Sequence, residues 1–146
     1  MKICIKDDIF YDTNILFYAY DLSEPGKREV CKTLVGKVFN GETKGFISNQ
    51  ILVELYNALT RKLGVNTHTA NLIVESFLAS TNWLKLSYNH STIKSALRTS
   101  KAFGVPFPDS LIAETMKENG MGSIITENER DFTRISGIYV KNPVKL

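Results

Sequence analysis

Three acids interrupt apolar stretches where a ligand site is readily built. Asp12 directly follows Ile9-Phe10-Tyr11, which places its carboxylate at the C-terminal end of a strand, the edge where open parallel sheets bind ligands; with Asn14 nearby it equally suits an Asx turn. Glu54 lies in Ile51-Leu52-Val53-Glu54-Leu55 and shares one helix face with Ile51, Leu55 and Ala58 through i, i+3, i+4 and i+7 spacing. A carboxylate there is costly unless it is paired, bound to metal or at the rim of the face. Asp109 sits between Pro108 and Ser110-Leu111-Ile112-Ala113, where it can cap a helix and still turn an oxygen toward a cation. Thr126-Glu127-Asn128-Glu129-Arg130-Asp131-Phe132 leaves a further strand at the same edge. Each acid alone has a plain structural reading. Delivered together to one crevice, like charges repel, and a hard divalent cation, Mg²⁺ or Mn²⁺, held by oxygen ligands and water relieves that repulsion.

The elements that must position these groups alternate between short strands and helices, which predicts α/β architecture. Ile9–Tyr11 opens the first strand, and Ile15, Leu16 and Phe17 extend it into the nearly continuous apolar segment of a central parallel strand. Ser23–Gly26 reads as a turn or helix start, followed by Val30, Leu34, Val35 and Val38 at helical spacing up to Gly41. Gly45–Ser48 is the second strand, and Asn49–Leu63 is a helix stopped by Gly64. Thr67 to about Ser80 is a helix with Leu72, Val74, Phe77 and Leu78 as its apolar face, and Trp83–Leu86 is the third strand. Ser91–Phe103 is helical, the Pro106-Phe107-Pro108 segment breaks the chain, and a further helix runs from Ser110 to Asn119. Ser123–Thr126 and Ile138–Val140 supply the fourth and fifth strands.

The chain has 146 residues, 43% of them hydrophobic and 23% charged, the composition of one globular domain large enough to hold a core without disulfides or metal. Disorder, collagen-like repeats and a coiled-coil rod are excluded. Asp12 and Asn14 interrupt the most hydrophobic stretch, well short of the roughly 18 residues of a membrane span. The opening MKICIKDDIF carries acids where a signal peptide is apolar, so a cytoplasmic location is expected. Cys4 and Cys31 show no metal-binding spacing and read as buried or half-buried free thiols, while His68 and His90 read as surface or capping residues. A net charge of +3 permits a polyanionic partner.

Four segments in order carry a resemblance: Tyr11-Asp12-Thr13-Asn14, the Ser48–Lys62 helix with Glu54, Pro108-Asp109-Ser110-Leu111-Ile112-Ala113, and Thr126-x-Asn128-x-x-Asp131-Phe132, with Val140–Pro143 closing the chain. Together they resemble the PIN-domain nucleases, and within them the VapC toxins of VapBC toxin–antitoxin systems, over nearly the whole chain. The resemblance implies a single PIN domain over residues 1–146, a Rossmann-like three-layer sandwich with a mostly parallel four- to five-stranded sheet flanked by helices. It implies Asp12, Glu54 and Asp109 as ligands of Mg²⁺ or Mn²⁺. The family's fourth acidic position falls on Asn128, whose amide offers an oxygen without a charge; Asp131 is the residue expected to compensate, and Glu127 and Glu129 are expected to face solvent.

The implied activity is a divalent-metal-dependent endoribonuclease, the toxin of a pair, with an RNA substrate, a VapB-like antitoxin and a homodimeric assembly. Metal supplies charge neutralisation, phosphate orientation and an acidified water, and in-line attack leaves 5′-phosphate and 3′-hydroxyl ends. Thr13 and Thr126 offer hydroxyls for a metal-bound water or for the substrate, against the plainer role of capping adjacent loops. Arg61, Lys62, Lys101, Arg130 and Arg134 offer charges for phosphates, Arg130 foremost because it lies in the site loop. Phe17, Tyr18, Tyr20 and the helix from Thr67 to Ser80 offer partner surfaces, although core positions explain them more simply. Two competing readings are a catalytically weak PIN domain that binds RNA or a partner, which Asn128 keeps open, and a housekeeping RNA-processing nuclease. An aspartyl-phosphate fold is disfavoured, because a haloacid-dehalogenase-like phosphatase needs a second Asp at the position of Asn14, and a receiver domain needs one where this chain has Ser48-Asn49.

Overall fold

A computed structural model describes residues 8–145; Cys4 and Asp7 lie outside the described residues. Strands β1 (Ile9–Tyr11), β2 (Gly45–Ser48), β3 (Trp83–Leu86), β4 (Ser123–Ile125) and β5 (Tyr139–Lys141) form one sheet in the order β3-β2-β1-β4-β5. Every pairing is parallel, so the sheet is five-stranded and all-parallel. Helices α1 (Thr13–Tyr18), α2 (Pro25–Phe39), α3 (Asn49–Arg61), α4 (Thr67–Ala79), α5 (His90–Phe103), α6 (Phe107–Glu118) and the short α7 (Glu129–Phe132) supply the crossovers that parallel strands require. The chain leaves β1 toward β2 and β3 on one side, then returns with β4 to the other. The C-terminal edge of β1 and β4 is therefore the point where the winding reverses, and a crevice opens there.

The apolar run after β1 turns into helix rather than continuing as strand. The Asp12 carboxylate accepts from Thr13 N at 2.7 Å and the Asp12 carbonyl accepts from Ile15 N at 3.1 Å, closing the first turn of α1. Ile15 and Leu16 are fully buried in that helix. A short, wholly apolar run has no period to tell a buried strand from a buried helix, and the N-cap decides it.

Likewise α6 starts at Phe107, ahead of the expected Ser110, with Pro108 inside its first turn, where a missing N–H costs nothing. Asp109 consequently falls in the first turn of α6 instead of at its cap. Expected and observed faces also differ on α4: Ala70 and Phe77 are buried, whereas Leu72 and Leu78 are more than half exposed. Strand β5 begins at Tyr139, one residue later than expected.

The core joins the sheet to both helix layers. Trp83 stands at its β3 end, with Tyr11, Phe39 and Phe77 ring centroids at 5.0, 5.9 and 5.1 Å. Gly45 is required by this cluster, because a Cβ there would lie 2.5 Å from a ring carbon of Trp83. Cys31 is buried, with its thiol pushed up to about 11 by desolvation, an inert packing residue. His68 and His90 are exposed, but the capping oxygens beside them belong to Asn66 and Asn89.

Candidate active site

At the winding reversal lies a cleft of about 460 Å³, lined by Asp12, Thr13, Asn14, Phe17, Tyr18, Glu54, Asn57, Ala58, Arg61, Lys62, Asp109 and Asn128. Four separate elements bring these groups together: the β1–α1 junction, α3, the first turn of α6 and the loop after β4. Strand continuity places Asp12, since its N–H donates to the Ile125 carbonyl at 3.0 Å and thereby extends the β1–β4 ladder by one residue. The residue that carries this carboxylate is only 6% exposed.

Asp12 is held by donors on every side. Thr126 Oγ1 donates to its Oδ2 at 2.7 Å, Asn14 Nδ2 to the same oxygen at 3.2 Å, and Thr13 N to Oδ1. Burial outweighs these bonds and pushes the Asp12 pKa up to about 6, with the nearby Glu54 charge adding to the rise. Glu54 accepts from Thr13 Oγ1 at 2.7 Å and from Gln50 Nε2 at 3.2 Å, and the same Gln50 nitrogen reaches the Pro108 carbonyl at 2.9 Å, tying α3 to the start of α6. Asp109 is pushed up to about 7, first by burial, then by the charge of Asp12 and by Asp131 beside it.

Asn128 bridges the remaining acids: its Nδ2 donates at 3.1 Å both to Asp109 Oδ2 and to Asp131 Oδ2, and its Oδ1 accepts from Asp131 N at 3.3 Å. The amide oxygen expected as a neutral ligand is thus used as the N-cap of α7, and the amide nitrogen faces the carboxylates. The acids therefore form two hydrogen-bonded pairs, Asp12 with Glu54 through Thr13 and Asp109 with Asp131 through Asn128.

Among the described residues no three acids, cysteines or histidines are drawn together tightly enough to grip an ion as they stand. The donor set nonetheless suits a hard cation, because every cleft carboxylate offers oxygen and burial and neighbouring negative charge raise the pKa values of both Asp12 and Asp109, a cost that a bound positive charge would relieve. Asp12, Glu54 and Asp109 are the residues that would hold it.

A family model described as PIN domain matches residues 9–138. The chain belongs to the PIN domain family. No curated protein matches the sequence. Solved structures with this PIN fold include DNA-bound VapBC from Salmonella typhimurium, 23% identical with a TM-score of 0.65, covering 92% of this chain and 97% of that one. VapBC2 from Rickettsia felis, bound to a promoter DNA fragment, is 16% identical with a TM-score of 0.65 and the same coverages, 92% and 97%. Mycobacterium tuberculosis VapC20, described as a sarcin-ricin loop cleaving toxin, is 18% identical with a TM-score of 0.61, covering 80% of this chain and 87% of that one.

Within this PIN fold the remaining sequence expectations sort by position. Thr13 lines the cleft with its hydroxyl committed to Glu54. Thr126 is completely buried and bonded to Asp12, Asn14 and Asn128, so it orients the site without access to substrate. Arg130 is exposed on α7, outside the cleft lining. Glu127, expected in solvent, instead accepts from Tyr18 Oη at 2.8 Å and pairs with Lys27 at 2.7 Å, pinning the site loop to α1 and α2. Glu129 is a looser contact of Lys145 at 3.5 Å.

Three positioning groups escaped the sequence reading. Asn14 bonds Asp12, Thr126 and the Glu127 N–H, Gln50 carries Glu54, and the Tyr18–Glu127–Lys27 cluster holds the loop. Asn14 was visible as the last residue of Tyr11-Asp12-Thr13-Asn14. Gln50 was visible only as an amide one turn before Glu54.

Proposed function

We propose that this PIN domain is a divalent-metal-dependent endoribonuclease and the toxin of a toxin–antitoxin pair. The observation that carries the reading is the crowding of Asp12, Glu54 and Asp109 in one cleft at the C-terminal edge of a parallel sheet, with burial and mutual repulsion raising two of them toward neutrality. An antitoxin partner is supported by the VapBC assemblies among the structural relatives, and an RNA substrate by the toxin described as cleaving the sarcin-ricin loop. A homodimer is the further assembly we propose, supported by the groove between α3 and α4 lined by Leu52, Val53, Tyr56, Val74 and Leu78. The continuous sheet and core support a single domain. No helix among the described residues is long and apolar enough to cross a membrane, and a cytoplasmic site of action is part of the proposal.

In this reading Asp12 and Asp109 are direct ligands, and Glu54 is a second ligand or the group that positions water. A bound Mg²⁺ or Mn²⁺ supplies positive charge to a phosphodiester and acidifies water. Thr126 and Asn14 keep both oxygens of Asp12 oriented, and Thr13 holds Glu54 across the cleft. Asn128 holds Asp109 against Asp131, so that a carboxyl group stands near the fourth position although Asn128 itself has none. A carboxyl raised toward neutral pH, such as Asp109, can take the proton of the attacking water. No serine–histidine or cysteine–histidine pair lines the cleft, which leaves water as the nucleophile.

The test is incubation of the purified protein with single-stranded and structured RNA in Mg²⁺, Mn²⁺ or EDTA, beside Asp12→Asn. Metal-dependent cleavage that the variant loses is the expected result. RNA binding without cleavage under either metal would instead favour the binding-module reading, for which the hydrogen-bonded Asn128 amide is the motivating observation.

A further inference from the structure

The cleft extends past the acids into a second region of opposite character. Along α3, Glu54, Asn57, Ala58 and Arg61 follow i, i+3, i+4 and i+7 and all line the cleft; two helical turns separate the Glu54 and Arg61 ends by about 10.5 Å. On the facing side, Phe17 lies one turn beyond Thr13 on α1, with Tyr18 beside it at 5.9 Å between ring centroids. Lys62 Nζ stands over the Phe17 ring, 6.0 Å from its centroid, so the two walls meet at this end through a loose cation–π contact that a base must displace to stack.

Arg61 and Lys62 are the cations of the lining, both exposed, and neither has a carboxylate partner among the described residues. The Tyr18 hydroxyl is committed to Glu127, which leaves Phe17, half-buried and without polar atoms, as the aromatic side chain of the lining with no polar commitment. A flat apolar ring beside two cations without a carboxylate partner, one or two helical turns from a phosphate-directed acid site, matches a nucleotide: π-face on the ring once the exposed Lys62 swings off it, phosphate on the cations.

We infer that the Phe17–Arg61–Lys62 end of the cleft is a subsite for the nucleotide flanking the scissile phosphate, with its base stacked on Phe17 and its phosphate bound by Arg61 and Lys62. The inference rests on the nuclease reading for its orientation: the acids repel the strand unless metal is bound, so the cations set which side of the scissile bond is anchored. Its chemistry requires single-stranded RNA, since a base in a duplex cannot present its face to a side chain.

The experiment is fluorescence anisotropy of a labelled single-stranded RNA with the full chain in EDTA, over a series of salt concentrations, for the wild type, Phe17→Leu, Phe17→Tyr and the double variant Arg61→Ala with Lys62→Ala. Phe17→Leu is expected to weaken binding roughly 5- to 150-fold, the loss of one stacked base, and Phe17→Tyr to restore it. The double variant is expected to flatten the log–log salt dependence by about 0.7, the one phosphate neutralised on a single strand. Should both variants bind as the wild type does with an unchanged salt slope, the subsite is overturned. The same holds if RNA binding is unchanged while the variants lose stabilisation by the antitoxin, because the surface is then a protein-docking face. Cleavage in Mg²⁺ is read separately: a wild type that binds RNA through these residues and never cuts retains the subsite and removes the nuclease reading.

Discussion

Neutralising Asp109 should make the metal-free protein more stable while abolishing its activity. The Asp109 pKa is raised from 3.8 to about 7 by burial and by the Asp12 charge. A carboxyl raised in the folded state binds its proton more tightly there than in the unfolded chain. Its contribution to stability is complete below about pH 3.8 and is lost as pH rises through about 7. At pH 8 without metal, the folded protein therefore carries an unfavourable charge that Asp109→Asn removes. The full displacement corresponds to ~4 kcal/mol at 1.36 kcal/mol per tenfold in acidity. The carboxylate is only half-buried and faces cleft water, so screening reduces the expected gain to roughly 1–2 kcal/mol.

The replacement amide retains the local bonds: it can accept from Asn128 Nδ2, as Asp109 Oδ2 does at 3.1 Å, and donate to Asp131 beside it. For a chain of this size the gain is a rise of roughly 3–6 °C in melting temperature. Calorimetry in EDTA at pH 8 and pH 5 is the assay, and the difference should shrink at pH 5, where the wild-type carboxyl is protonated. Added Mg²⁺ should raise the wild-type melting temperature by mass action and leave the variant nearly unmoved. A variant that melts at or below the wild type at pH 8 in EDTA would refute the reasoning, as would a gain that persists undiminished at pH 5.

Metal affinity should fall with acidification, since binding must displace protons from Asp12 and Asp109, with pKa values of about 6 and about 7; calorimetric titration of Mg²⁺ at pH 8 and pH 5.5 should show a weakening of roughly tenfold per pH unit for each proton displaced. Thr126→Val removes a fully buried hydroxyl that serves Asp12, Asn14 and Asn128, and should cost about 1–3 kcal/mol in denaturant unfolding while lowering kcat more than it raises KM. Gly45→Ala drives a methyl to 2.5 Å from Trp83 and 2.9 Å from Val38 Cγ1, and should destabilise by roughly 1–3 kcal/mol; an unchanged urea midpoint would show that the aromatic cluster yields. Tyr18→Phe deletes the bond to Glu127 and should cost about 0.5–1.5 kcal/mol, with increased amide exchange confined to the loop around Asn128 as the distinguishing signature.

Much of the architecture was legible because strands and helices alternate with clear punctuation. Gly45–Ser48 and Trp83–Leu86 are strands at the expected bounds, and α5 ends at Phe103 as expected, with Gly104 at a φ of +65° capping it. Misreadings fell where local signals were degenerate. Ile15–Phe17 lacked a period, Pro108 suited both a break and a first helical turn, and the exposure of Leu72 and Leu78 depends on which neighbours α4 has. The acids themselves could be named because each breaks an apolar pattern, a local property of the chain.

What the acids do to one another could not be read locally. Asp12 and Thr126 are 114 positions apart and 2.7 Å apart in space; Thr13 meets Glu54 across 41 positions. The raised pKa values of Asp12 and Asp109 follow from burial and from charges on other elements, and the turn of the Asn128 amide follows from the competing Asp131 N–H. Sequence by itself determined the α/β order, the motif residues and the family pattern, because these are set by residue type and short-range spacing. The tertiary structure alone decided which oxygens are free, which charges face each other and where cations meet an aromatic wall, because desolvation and Coulomb energies depend on distances that the chain order does not encode.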